Sequence, residues 1–370
     1  MPSPHPAREI ALCYGTRPQV IKASRLRPAL AAGHRVFAVD TGQHYDYALN
    51  ALLYRQLGVA EPDLCLDVGS GAHGAQTAAI LERIEPVLAA RRPAAVVVIG
   101  DTNSTLGCTL AAAKLRIPVV HVEAGLRAAD ALMAEEINRR VVDAVASVLC
   151  APSETAMRSL AAEGAGPRAV LTGDVAHDVL RSQTAALPEA GALLPAGVEA
   201  PYVFATLHRA ELTDRPELLA GALAGLASVG LPVVLAVHPR TAAAMERHGV
   251  QPARAGGPLH LVPAVGYLES LALTASAAVV VTDSGGVQRE AYWLGVPCVT
   301  LRAETEWTET VALGANLLLA PALAREGLRD AVAAQRERRV KEPAWDRGAY
   351  GDGRAAERIA TAVRRCFDGG

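Results

Sequence analysis

Residues 94–124, AAVVVIGDTNSTLGCTLAAAKLRIPVVHVEA, carry the pattern that decides the fold. Two short apolar runs, AAVVVIG and PVVHVEA, flank a longer segment of helical period. An apolar run without alternation reads as a strand buried on both faces, and such strands joined through helices build parallel sheets. The same unit recurs outward in both directions. EIALCYG and RVFAVDTG precede it and SVLCAPS comes after, and a second series then runs through YVFATLHR, PVVLAVHP, LHLVPAV, AAVVVTDSGG and PCVTLR. Each series suffices for one doubly wound sheet, so the fold class expected is α/β, with two Rossmann-like domains facing a cleft. Between the series, ALPEAGALLPAGVEAP is rich in Ala, Gly and Pro and has no steady period, which places the break near 180–200. The boundaries expected are 1–180, 181–350 and a terminal segment, 351–370, whose AAERIATAVRRCF reads as an amphipathic helix.

A length of 370 residues suits two domains, and 51% hydrophobic residues can fill a core in each. A formal charge of -2 gives no basic footprint for nucleic acid and no polybasic membrane patch. No apolar run approaches the roughly 20 residues that cross a bilayer, and MPSPHPAREIALCYG lacks a signal-peptide pattern, so a cytoplasmic location is expected. The six cysteines show no CxxC or Cys/His ligand spacing and read as reduced core thiols, with no metal site.

Ligands of open parallel sheets sit beyond the carboxyl ends of the strands. The residues at those ends are Arg17, His44, Asp101, Glu123, His208, His238, Ser284 and Arg302. Polar and charged groups in that position, from both halves, point to an interdomain site. GTRPQVIK comes directly after the first strand, and Arg17 and Lys22 there flank a helix start whose free N–H groups favour an anion; the plain alternative is a pair of solvated cations. This is not GxGxxG, so the usual dinucleotide signal is missing. In TDSGGVQREA, Ser284, Gly285 and Gly286 form a phosphate cradle at a helix start, and Glu290 can accept from ribose hydroxyls; the plain alternative is a Ser cap with glycines for packing.

Asp101 in IGDTNS and Glu123 in HVEAGLR each stand at the end of an apolar strand, where an unpartnered carboxylate is costly without a task. Glu135 and Glu136 open EEINRR, and Glu135 to Arg139 is an i,i+4 spacing that also suits a structural ion pair. Several carboxylates together suit proton transfer and support of a cationic transition state. His208 in TLHR and His238 in AVHPR fit pyrophosphate binding, although a strand-end histidine is commonly structural.

In their order along the chain, these motifs resemble the non-hydrolysing UDP-N-acetylglucosamine 2-epimerase family. They are GTRP with Lys22, TGQH, GDTNS, HVEAGLR, EEINR, TLHR, TDSGGVQREA and LGVPCVTLR with TEW, from residue 15 to about 319. The resemblance implies the two-domain GT-B fold and C2 inversion of a UDP-N-acetylhexosamine by anti elimination of UDP and re-addition to the 2-acetamidoglucal. It implies no nicotinamide or other cofactor, a role in nucleotide-sugar metabolism and polysaccharide biosynthesis, and a homodimer. Asp101, Glu123 and Glu135 match the family's catalytic carboxylates, and His208 its active-site histidine. Arg17 and Lys22 match the phosphate-side cations, Ser284, Gly285, Gly286 and Glu290 the UDP turn and ribose contact, and Tyr267 a position near the uracil. His238 and Arg302 resemble further cleft residues, and the terminal helix is expected to pack back on the first domain.

The chain departs from the common bacterial pattern at Tyr45 and Asp46 after TGQH, at Trp307 for Arg, at Leu212 for Asn and at Ala134 for Pro. TGQHYD with TEW resembles the subgroup that includes 2-epimerases of UDP-2,3-diacetamido-glucuronate. Three other outcomes share the same residues: a hydrolysing 2-epimerase releasing UDP and free N-acetylmannosamine, a GT-B glycosyltransferase, and a non-catalytic UDP-sugar sensor.

Overall fold

The computed structural model describes residues 7–43, 54, 57–251, 257–341 and 344–367. His44, Tyr45 and Asp46 lie outside them. The chain forms two units: one runs up to Ser182 and resumes at Gly348, and the other is Gln183–Arg347.

The first unit holds a seven-stranded parallel sheet: β1 (Glu9–Tyr14), β2 (Arg35–Asp40), β3 (Leu64–Cys65), β4 (Ala95–Ile99), β5 (Val119–Val122), β6 (Val148–Ala151) and β7 (Ala169–Leu171), in the order β3-β2-β1-β4-β5-β6-β7. Every residue of β4, β5 and β6 is buried, as their unbroken apolar runs require. The helices between strands are α1 (Arg17–Ala31), α2 (His73–Arg91), α3 (Asn103–Lys114), α4 (Ala134–Val145), α5 (Glu154–Ala162) and α6 (Val175–Gln183). Thr102 caps α3 by accepting the N–H of Thr105. Gly107 lets α3 close on α2, since a Cβ there would stand 2.7 Å from Ile80 Cγ2.

The second unit holds a six-stranded parallel sheet: β8 (Val203–Leu207), β9 (Val233–Val237), β10 (Leu259–Pro263), β11 (Val279–Thr282), β12 (Cys298–Thr300) and β13 (Asn316–Leu318), in the order β10-β9-β8-β11-β12-β13. Its helices are α7 (Ala210–Thr213), α8 (Pro216–Leu226), α9 (Pro239–His248), α10 (Tyr267–Ser276), α11 (Gly285–Leu294), α12 (Thr308–Ala312) and α13 (Ala324–Lys341). Strand periodicity sorts the core. Val203, Ala205 and Leu207 join Leu219, Leu223 and Leu328 on one face, while Phe204 joins Val234, Val280 and Leu273 on the other. Each fully buried Val, Leu or Phe contributes roughly 1.5–3 kcal/mol.

The last helix, α14 (Ala355–Ala362), belongs to the first unit, where Asp178 accepts the N–H groups of Ala355 and Ala356 at 2.9 and 2.8 Å. The ten sequence-read strands all form. The three missed, β3, β7 and β13, are edge strands of two or three residues, too short to leave a pattern. Four cysteines are core thiols, but Cys65 is exposed, against expectation, because it ends an edge strand. Among the described residues, no helix is long and apolar enough to cross a membrane.

Candidate functional site

Strand order reverses between β1 and β4 in the first sheet and between β8 and β11 in the second, the points where doubly wound sheets bind ligands. Gly15 and Asp101 flank the first switch point, and His208 and Ser284 the second.

In the first unit, Ile99 lies beside Val122, so Asp101 and Glu123 leave the ends of adjacent strands. Lys22 reaches across from α1 and forms a buried ion pair with Glu123. The sequence reading gave Lys22 to a phosphate, but here its ammonium faces a carboxylate. Glu123 has φ of 70°, a left-handed conformation that a non-glycine residue adopts only when its surroundings hold it. Ala124 N–H donates to the Cys150 carbonyl at 3.1 Å, and Gly125 N–H to Asp143 at 3.0 Å, so the chain is tied just past Glu123.

His121, fully buried, bridges both strand ends. Its Nε2 stands 2.7 Å from the Gly100 carbonyl, before Asp101, and its Nδ1 2.6 Å from Asp143. Arg127 also pairs with Asp143, at 2.8 Å. Burial pushes the Asp143 carboxyl up, but the charges and hydrogen bonds of His121 and Arg127 outweigh it and hold the carboxyl below its ordinary range.

Glu136 is the buried glutamate of the pair. It accepts from Ala128 N–H at 2.9 Å, Arg139 at 3.1 Å and Arg140 at 2.9 Å, while Arg139 also pairs with Asp101. The possible Glu135–Arg139 ion pair therefore does not form. Glu135 is half-buried, and no described hydrogen bond or ion pair ends on its carboxylate.

The start of α1 also differs from its sequence reading. Gln19 Oε1 accepts the N–H groups of Gly15 and Thr16 at 2.8 and 3.2 Å, and Gln19 Nε2 donates to the Ile99 carbonyl at 2.6 Å. Those two N–H groups are thus spent on joining the first turn to the Asp101 turn. Arg17, half-buried, is the first residue of α1.

In the second unit, consecutive strand ends present Tyr267 after β10, His238 after β9, His208 after β8, Ser284 after β11 and Arg302 after β12. Among the described residues, Ser284 Oγ accepts from Val287 N–H, at 3.4 Å, and the N–H groups of Gly285 and Gly286 at the start of α11 have no protein acceptor. Donors at a helix start are the geometry that favours an anion. Glu290 is half-buried on the same helix, and Tyr267 is buried at the start of α10. The rings of His208 and His238 lie 5.1 Å apart, and His238 Nδ1 accepts from Arg240 N–H at 3.2 Å. Arg302 forms a buried pair with Glu306 at 2.8 Å. Trp307, beside it, lies under the Arg289 guanidinium at 3.7 Å from the ring centroid. Leu212 is a core residue, 1% exposed.

Sequence reasoning named Glu136 without separating its part from that of Glu135, and passed over His121, Asp143, Gln19 and Asp283. Two left a signal: His121 is a polar residue inside an apolar strand, and Asp283 comes directly after one. Among the described residues, no cluster of three or more His, Cys, Asp or Glu could hold a metal ion.

A family model described as UDP-N-acetylglucosamine 2-epimerase matches residues 30–364. The UDP-2,3-diacetamido-2,3-dideoxy-D-glucuronate 2-epimerase of Pseudomonas aeruginosa is 39% identical over 363 residues, covering 95% of this chain and 98% of its own. The Methanocaldococcus jannaschii UDP-GlcNAc 2-epimerase, solved in complex with UDP-GlcNAc and UDP, superposes with a TM-score of 0.87 at 36% identity, covering 96% of this chain and 99% of its own. A calicheamicin glycosyltransferase, 16% identical with a TM-score of 0.53, shares the fold alone. The fold class is that of the GT-B proteins, as the family resemblance implied, and the two parallel sheets are those expected from the two strand series.

Proposed function

The chain belongs to the UDP-N-acetylglucosamine 2-epimerase family, and from that premise we propose that it inverts C2 of a UDP-2-acetamido sugar without hydrolysis. UDP leaves by anti elimination, the 2-acetamidoglucal is protonated on its other face, and UDP adds back to C1.

The observation that carries this reading is the set of carboxylates in the first unit. Asp101 and Glu123 are fixed at adjacent strand ends by Arg139 and Lys22, while Glu135, at the start of α4, has no described hydrogen bond or ion pair on its carboxylate. The C2 proton of the intact sugar is not acidic, so C1–O cleavage must run ahead and leave oxocarbenium character. Carboxylates with fixed cations suit electrostatic support of that charge. Glu135 can take the C2 proton without breaking a described ion pair, and the proton delivered to the opposite face must come from a different group. In the second unit, the N–H groups of Gly285 and Gly286, which have no described protein acceptor, suit the leaving diphosphate, with Ser284, His238 and Arg302 as further phosphate-side groups. His208 is assigned the part of the active-site histidine, and Arg17, in the first unit, is assigned to a phosphate. Glu290 is assigned to the ribose and Tyr267 to the uracil. The same resemblance supports a cytoplasmic homodimer; light scattering that returns 38.5 kDa would remove the dimer.

The test is turnover of UDP-N-acetylglucosamine and UDP-2,3-diacetamido-2,3-dideoxy-glucuronate in deuterated water. The expected product is a C2-deuterated, C2-inverted UDP-sugar. Accumulation of free 2-acetamido sugar and UDP would replace the reading with a hydrolysing epimerase. Binding of both without exchange would leave a sensor.

A further inference from the structure

Asp283 stands directly after β11 and is fully buried. Its Oδ2 accepts the backbone N–H groups of His208 and Arg209, each at 2.8 Å. Its Oδ1 is shut off from solvent and has no hydrogen bond, while Nδ1 of His208 stands 3.4 Å away. A buried carboxylate oxygen without a donor is expensive and rare. At 3.4 Å the two groups stand at ion-pair distance without a described hydrogen bond, and the half-buried ring is the group that faces Oδ1.

We propose that Asp283 is the positioning residue for His208. One carboxylate fixes both the backbone of the histidine, through Oδ2, and the tautomer of its ring, through Oδ1. With Nδ1–H donated to Oδ1, Nε2 keeps its lone pair and points away from the core, able to exchange a proton or bond with a bound UDP-sugar. Hydrogen bonds of this kind are commonly loose without substrate and tighten when it binds. Ser284, the next residue, caps α11, so the end of β11 carries the diphosphate turn and, through Asp283, holds the histidine that follows the neighbouring β8. The inference rests on the proposed action of His208 on the UDP-sugar.

The test uses the full chain with UDP bound. In ¹⁵N-labelled wild-type protein, His208 should carry its proton on Nδ1; a ring protonated on Nε2 alone would overturn the proposal without any variant. Asp283→Asn keeps an oxygen for the two backbone N–H groups but turns an NH₂ toward Nδ1, which must then accept. The expected result is reversal of the tautomer, loss of kcat by about 100- to 10,000-fold, and retained UDP affinity by calorimetry. Full turnover in Asp283→Asn alongside an inactive His208→Asn sinks the dyad alone. Full turnover in His208→Asn sinks the underlying role of the histidine. The double variant should be no slower than His208→Asn, because the two residues act as one unit.

Discussion

His121 Nδ1 lies 2.6 Å from Asp143 Oδ1, with the imidazole wholly buried and the carboxylate 2% exposed. The other ring nitrogen faces the Gly100 carbonyl, so both nitrogens must donate for both contacts to be hydrogen bonds. This pair links the turn that carries Asp101 to the turn that carries Glu123. Replacing Asp143 with Ala removes the acceptor for His121, Arg127 and Gly125 N–H at once. The expected loss is about 3–5 kcal/mol, the range for breaking a buried charge pair. A urea midpoint unchanged from wild type would show that the network carries no stability.

Glu135 and Glu136 should separate activity from stability. Glu136→Gln weakens charge-assisted bonds to Arg139 and Arg140 and should cost roughly 1.5–3 kcal/mol. Glu135→Gln breaks no described bond and should stay within about 0.5 kcal/mol of wild type. Its C2 deuterium exchange should instead slow by about 100- to 10,000-fold. Thermal melts and exchange rates on the two variants check both halves; normal exchange in Glu135→Gln takes that residue out of the mechanism.

Gly15 is fixed by close approach. A Cβ there would lie 1.9 Å from Thr41 Oγ1 and 2.4 Å from Ser104 Oγ, two hydroxyls that hydrogen-bond each other at 2.7 Å. Gly15→Ala should destabilise by about 1–3 kcal/mol through overpacking. A denaturant curve superimposable on wild type would mean that the hydroxyls move aside freely.

Stability should fall toward acid in two windows. Burial lowers the proton affinity of His177, so below about pH 6.5 the unfolded chain takes up a proton that the folded chain resists, and unfolding is favoured. Asp143, held below its ordinary range, contributes fully above about pH 4 and loses that contribution as pH falls through its depressed value. Melting temperatures at pH 5.5 and 7.5 should differ less in His177→Gln than in wild type. An equal difference would assign the first window to other groups.

The repeated apolar runs and their polar ends determined two parallel α/β sheets in this chain, and the place of Asp101, Glu123, His208 and Ser284 at strand ends. Those features are local: a strand buried on both faces must be apolar throughout, and the residue at its carboxyl end must lie at the sheet edge. Partner choice was not legible, because it depends on groups far apart in sequence. Lys22 was read as a phosphate ligand and faces Glu123, 101 residues on; Gln19 closes the turn that looked open to an anion. Adjacent glutamates could not be told apart either, since one step along a helix turns a side chain by about 100°. Only the packing of α4 against the Asp101 and Ala128 turns decided that Glu136 is bonded to Ala128, Arg139 and Arg140 while no described bond ends on Glu135.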